Sequence, residues 1–437
     1  MRPMHSLVLL ATLAAPAGAY ADAAPDPVTI VRAARLLDVA SGELRHDQAV
    51  RISGERIVEV GPAAEIGAHS PAGATTIDLG DVTLLPGLID VHTHIALGDP
   101  PKHRDRDRLR LDSIDAAVRA NVYARRTLES GVTSVRDLGA ADYVDVALAA
   151  AIDEGIVTGP RMQVASLGVG ATGGHFDPGV GLSAHLEITN EASGIADGVD
   201  KIRELIRNEV KHGAQVIKMA ATAGVLSEEE AVGAPQYSQE EMNAVVDEAR
   251  RWGRKVAAHA HGADGIRMAV RAGVASIEHG TFIDDEGLKL MKERGTYLVP
   301  QVFGPEILHQ FDAAGWPEVI LRKAHAAFAA QNDGFRRALK AGVKIAFGTD
   351  AGVFPHGENT RQLARMVAAG MAPVEALRAA TVNAADLLGW SDRVGALKPG
   401  LYADLIAVPG NPLADMSAVE RVSFVMKGGR VVKRAGP

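Results

Sequence analysis

Apolar and polar positions along the chain change rhythm twice. From Val28 to Leu85, short runs rich in β-branched residues, TIVRAARLLDV, QAVRISGERIVEVG and TTIDLGDVTLLPG, are separated by Gly, Asp and Pro turn signals. From about Val394 the same texture returns in ADLIAVPG and SFVMKGGRVVK. Two β-rich ends around a different middle predict one small β-sandwich built from residues 22–85 and 394–437. Between them, over residues 86–393, apolar strand-like runs alternate with segments of helical period. The strand-like runs are PGLIDVHTH, TSVRDLG, RMQVAS, AQVIKMAA, KVAAHAHG, SIEHG, TYLVPQV and KIAFGTDAG. Helices are expected near 114–129, 144–154, 199–212, 240–252, 263–272, 286–294, 319–341, 360–369 and 373–388. Strands regularly followed by helices are the pattern of a (β/α)8 TIM barrel of the α/β class, whose chemistry lies at the C-terminal ends of its strands.

Those ends carry residues that bind metal or titrate. PGLIDVHTHIALGD, residues 86–99, holds His92 and His94. In a strand, residues i and i+2 point the same way, so both imidazoles can reach one cation. An isolated His-x-His is as readily an ordinary polar pair. Here it is joined by Lys218 in AQVIKMAA, His259 and His261 in KVAAHAHG, His279 in SIEHG and Asp350 in KIAFGTDAG, each ending a short apolar run. Ligand placement and fold are read from different residues, and they agree.

Composition narrows the chemistry. Of 437 residues, 47% are hydrophobic and 23% charged, ordinary for a globular chain with a large core. Cysteine is absent. Disulfides, thiolate ligands and Cys nucleophiles are therefore excluded, and a metal has to sit on His, carboxylate or modified Lys. The formal net charge of -8 argues against nucleic acid as a partner, because phosphate binding needs clustered Lys and Arg. The run KHRDRDRLRLD at 102–112 alternates signs and reads as a solvated loop or helix start, and Glu228, Glu229 and Glu230 read as a solvated face.

The N-terminus shows Arg2, an apolar run from Leu7 to about Ala15, and small residues Ala19 and Ala21 around Tyr20. That is the pattern of a signal peptide over residues 1–21, cleaved near Ala21. Its apolar run is shorter than the roughly 20 residues a bilayer span needs. The expectation is a secreted or periplasmic mature chain with no membrane contact after cleavage.

With His-x-His after the first strand, Lys after the fourth, His after the fifth and sixth and Asp after the eighth, the chain resembles the metal-dependent amidohydrolase superfamily. PGLIDVHTH near the start and GALKPGLYADLIAV near the end carry the likeness over nearly the whole mature chain. GATGGHFDP, HAHG, IEHG and GTDAG resemble the branch of Xaa-Pro dipeptidase-like carboxypeptidases, imidazolonepropionase-like enzymes and ochratoxin-hydrolysing amidases. The resemblance implies two divalent metal ions, with zinc the first choice, His92 and His94 holding one and His259 and His279 the other. It also implies a CO2-derived carbamate on Lys218 bridging them, since a buried ammonium beside two cations is disfavoured. Asp350 would bind the first ion and take the proton of the attacking water, whose pKa a metal brings from about 15.7 toward about 7. His261, one pleat beyond His259, is assigned to the substrate, polarising its carbonyl or the oxyanion. His175, in a glycine-rich loop, and His356, in FPHGEN, are further candidates for substrate binding. His103, His185, His212, His309 and His325 lie in helix or charged-loop contexts and read as structural. A homo-oligomer, with an octamer as one form, is also implied.

The expectation for function is a binuclear metallo-amidase that cleaves an amide or peptide bond next to a C-terminal amino-acid carboxylate by metal-hydroxide attack. Dipeptides, N-acyl amino acids and ochratoxin A, an aryl amide of phenylalanine, fit as small-molecule substrates. A lactonase or cyclic-amide hydrolase is the alternative within enzymes. A periplasmic metal- or solute-binding protein is the alternative of another class. Asp350 speaks against it, since a storage site needs no proton acceptor beside an open coordination position.

Overall fold

The computed structural model describes residues 26–98, 112–183, 185, 193–227, 231–302, 304–313 and 316–435. The signal-peptide segment, His103, the charged run over 102–111 and Glu228 to Glu230 lie outside the described residues. Among the described residues, no helix is long and apolar enough to cross a membrane.

Both β-rich ends meet in one sheet. Strands β1 (Val28–Asp38), β2 (Glu43–Ser53), β3 (Arg56–Pro62), β4 (Thr75–Asp78) and β5 (Val82–Pro86) pair with β14 (Leu405–Pro409), β15 (Phe424–Lys427) and β16 (Arg430–Arg434) in the order β16-β15-β14-β5-β1-β2-β3, with β4 also on β1. The two ends join where β5 runs antiparallel to β14, Leu405 opposite Pro86. Alternate residues of these strands bury a small core of its own that includes Val31, Leu36, Val50, Leu84, Leu405 and Phe424. The hydrogen bonds form one continuous mixed sheet, where the sequence pattern suggested a sandwich.

The middle of the chain has a TIM-barrel-like α/β fold. Strands β6 (Leu88–Thr93), β7 (Val132–Asp137) and β8 (Arg161–Val164) form one parallel sheet. A second holds β9 (Gly168–Val169), β10 (Ile217–Ala220), β11 (Val256–Ala260), β12 (Ser276–His279) and β13 (Tyr297–Val299). Backbone bonds link the two: Gln215 N donates to Val164 O at 2.8 Å on one side. On the other, residues 344–350 run between β13 and β6, with Ala346 N on Leu298 O at 3.1 Å and Val91 N on Phe347 O at 2.9 Å. This last segment, expected as a strand, is extended without a regular ladder. Gly348 is packed so closely against Val299 and His92 that a Cβ there would collide with both.

Helices cover the outside of these strands because their apolar faces recur at helical spacing. Ser113–Glu129 starts on an Asp112/Asp115 capping box, Gln239–Arg251 on a Ser238/Glu241 box, and Glu318–Ala341 stops at left-handed Gly342. One helical expectation changes. The stretch 373–388 divides into Pro373–Ala379 and Val382–Leu388, because Thr381 leaves the helical region at φ -138° and ψ -94°. Pro305–Ala313, which lies between the expected helices near 286–294 and 319–341, is helical as well.

Candidate metal centre

The predicted residues converge because the strands that carry them end at the same level. His92 lies on β6 with His94 just beyond it, Lys218 on β10, His259 on β11 with His261 just beyond, His279 at the end of β12 and Asp350 at the end of the 344–350 segment. Two groups result. Ligating atoms of His92, His94 and Asp350 lie within 4.8 Å of one another, as do those of His259, His261 and His279. Asp350 Oδ1 is 3.3 Å from His92 Nε2 and 3.2 Å from His94 Nε2. The groups adjoin, with the His92 and His279 rings 5.4 Å apart and Lys218 Nζ 3.2 Å from His92 Nε2.

Burial sets the charge states. It brings the imidazoles of His92 and His261 down to about 4 and His175 to about 3, and it holds His259 and His279 well below the ordinary histidine range. All are neutral at neutral pH, with one lone pair each, as ligands must be. Burial also lowers the Lys218 ammonium to about 8. It works to raise Asp350, but the surrounding His92, His94 and His279 outweigh it and keep that carboxyl well below its usual range. His279 and Asp350 both adopt left-handed backbone, φ +70° and +63°, an uncommon state for such residues that fits a functional site held by its surroundings.

The residues present fit a metal. His259 Nε2 is buried without a hydrogen-bond partner, a cost that a cation in reach of it would remove. The proton on His261 is fixed by a chain of bonds. Gln331 Nε2 donates to His279 O at 3.0 Å, so its Oε1 faces Thr281, whose hydroxyl donates to it at 2.6 Å. Thr281 Oγ1 therefore accepts from His261 Nδ1 at 2.7 Å, leaving His261 Nε2 as a lone pair.

These groups form the floor of a cavity of about 290 Å³ with a largely apolar wall, including Phe176, Val225, Leu226, Ala327, Phe328 and Val353. His175 lines it, stacked on His259 at 4.1 Å between ring centres and with Nδ1 2.7 Å from Ser227 Oγ. His356 is not brought there. It is buried with its ring 5.3 Å from that of Tyr123, and it does not line the cavity.

Sequence reasoning missed four polar residues beside the centre: Arg136, Glu278, Gln301 and Gln331. The first two had a signal, a charge inside an apolar strand, in TSVRDLG and SIEHG. Gln331 had none, as one polar residue in a long amphipathic helix.

The model of the amidohydrolase family matches residues 83–432. Ochratoxinase of Aspergillus niger is 34% identical over 427 residues, 94% of this chain and 87% of that protein. Imidazolonepropionase of Cutibacterium acnes is 26% identical over 426 residues, covering 91% of this chain and 93% of that one. Among solved structures, a Xaa-Pro dipeptidase with bound methionine in the active site superposes with a TM-score of 0.87 at 38% identity, over 92% of this chain and 99% of that one.

Proposed function

The chain belongs to the amidohydrolase family and is a hydrolase of amide bonds, and from that premise we propose that it cleaves an amide or peptide bond next to an amino-acid carboxylate with two divalent metal ions. The observation that carries this reading is the pair of three-residue ligand groups on the floor of one apolar cavity. His92, His94 and Asp350 would hold one ion and His259 and His279 the other, leaving His261, the third member of the second group, to the substrate, with zinc the first candidate for an imidazole-rich set. Bound ions supply Lewis acidity toward the scissile carbonyl and acidify water.

Lys218 would serve as a carbamate: its ammonium gives up one proton, the free amine adds to CO2 with an N–C bond formed and one C=O π bond opened, a second proton leaves the nitrogen, and an anion with two oxygens replaces a buried cation. Asp350, ionised and open to the cavity, would take the proton of the attacking water and pass it to the leaving nitrogen. His175 and His261 would face the substrate. With its proton on Nδ1, His261 would meet a substrate N–H as an acceptor, which revises the expectation that it polarises the carbonyl. The apolar wall supports amides that carry an apolar side chain, such as hydrophobic dipeptides, N-acyl amino acids or ochratoxin A.

The test is a screen of dipeptides, N-acyl amino acids, ochratoxin A, lactones and cyclic amides against metal-loaded protein. Turnover of linear amides that disappears in Asp350→Asn supports the reading. Turnover confined to lactones or cyclic amides would replace it.

We carry three further proposals beyond the site. The 344–350 segment would close the strands of residues 86–393 into a full barrel, with residues 22–85 and 394–437 as a second unit. The chain would be exported after cleavage near Ala21. It would assemble as a homo-oligomer, which sedimentation would test.

A further inference from the structure

Beneath the centre, a charged residue crosses the interior. Arg136, on β7, is 1% exposed; its Nε donates to Val91 O at 2.6 Å, its Nη1 to Ser276 Oγ at 3.1 Å and its Nη2 to Glu278 Oε1 at 2.8 Å. Glu278, on β12 and fully buried, thus has one oxygen taken by Arg136 and by the Ser276 hydroxyl. Its other oxygen, Oε2, lies 2.9 Å from His92 Nδ1. A buried ion pair is weak evidence for stability, because apolar residues of similar volume often serve the fold as well. This pair ends on the ring of a candidate ligand, on the nitrogen opposite the one that faces Asp350 and Lys218.

We propose that Glu278, held by Arg136, is the positioning residue that keeps the His92 proton on Nδ1 and its Nε2 lone pair aimed at the first metal ion. The inference rests on His92 being a ligand, as read above. A carboxylate at 2.9 Å excludes a lone pair on Nδ1, since two acceptors would then face each other. Glu278 Oε2 is buried with no other hydrogen-bond partner, so the Nδ1 proton is the donor that would satisfy it, and the Gln301 amide, whose nitrogen stands 3.1 Å from Nδ1 with Oε1 unpaired, turns over so that no second donor faces that proton. Carboxylates behind metal-bound histidines fix the tautomer and raise the basicity of the ligand. The effect is local. The ion at His92, His94 and Asp350 depends on Glu278, and the ion at His259 and His279 does not.

Glu278→Gln tests this sharply. Arg136 demands the amide oxygen, which turns the amide nitrogen toward His92 Nδ1 and drives the ring proton to Nε2. Zinc binding is measured without substrate, by competition with a chelator and by metal analysis, on protein whose folding is checked by circular dichroism. Expected is a loss of about 10- to 100-fold in affinity for one ion, with the second unchanged. The double variant Arg136→Met/Glu278→Met removes the pair without leaving a lone charge. It should show the same one-ion loss, and it decides the matter if Glu278→Gln does not fold. Unchanged affinity for both ions, or equal weakening of both, in a folded variant overturns the inference. Wild-type protein that binds no divalent ion would instead overturn the metal reading of the site, so the two failures are distinguishable.

Discussion

The Asp350 carboxylate stands 3.2 Å from His94 Nε2, and Asp350 N donates to His92 O at 2.7 Å, so the acid and the two histidines are held as one unit. That geometry separates ligation from proton transfer. Asp350→Asn should keep most of the bound metal, because an amide oxygen still coordinates weakly, while kcat falls by about 100- to 10,000-fold. Metal analysis and steady-state rates on one preparation check it. A loss under about tenfold would move the proton acceptor to another residue.

Lys218 carries a different prediction. Its amine is buried among His92, Glu278 and Asp350, where only a modified, anionic form could serve two cations. Protein stripped of metal and CO2 should recover poorly with metal alone and fully with metal plus bicarbonate. Lys218→Ala should be inactive and regain some activity with short carboxylic acids. Full recovery of the wild type in CO2-free buffer would argue that no carbamate forms.

His259 and His261 lie in one group with His279, yet their surroundings differ. His259 Nε2 has no hydrogen-bond partner, whereas His261 is tied through Thr281 to Gln331. His259→Ala should lose metal toward one ion per chain. His261→Ala should keep both ions and lose rate by roughly 5- to 150-fold, since leaving a buried substrate N–H unpaired costs about 1–3 kcal/mol. If His261→Ala is the variant that loses metal, the two roles exchange.

The convergence of the candidate ligands was legible because each strand end is a local event: an apolar run, then one polar residue on a face fixed by the period of two. The Arg136–Glu278 bond was not, since it joins residues 142 positions apart and no local pattern encodes which strands face each other. His356 stands apart from the cavity lining for a related reason. Between it and Asp350 the chain turns at Gly352, φ +120°, and distance in sequence says nothing of where the turn sends the ring. The β-rich ends were legible as strands, but which strands pair across the chain, β5 with β14 above all, is written in no local pattern.

Two kinds of buried group should oppose each other in acid. His175 is held by burial at about 3, so the unfolded chain takes up its proton first, near 6.5; its contribution is present above that pH and is lost as pH falls toward about 3. Asp137 is the reverse: burial, with Asp145 nearby, raises it to about 7, so its contribution is full below about 3.9 and is lost as pH rises through about 7. Urea unfolding of metal-free protein between about pH 4 and 7 should therefore shift in opposite directions. His175→Phe should lose less stability than wild type on acidification, and Asp137→Asn should lose less on alkalinisation. Parallel curves for both variants and the wild type would show that neither group is perturbed as the fold implies.

The cavity wall makes the last prediction. Helix Glu318–Ala341 lines it with Ala324, Ala327 and Phe328, so small residues on one face leave the space that a substrate side chain would occupy. Ala327→Phe should place a ring in a volume of only about 290 Å³. Overfilling of packed space typically costs about 1–3 kcal/mol. Charged to a bulky substrate alone, that is roughly a 5- to 150-fold loss in kcat/KM, at 1.4 kcal/mol per factor of ten. Amides with aromatic or long aliphatic side chains should suffer this loss, chiefly through KM, while those of glycine and alanine change little. Bound metal should stay at the wild-type level, because Ala327 is part of the apolar wall and belongs to neither ligand group. Equal losses for small and large substrates would mean that the scissile amide enters from another side, and that this face of the helix does not select the side chain.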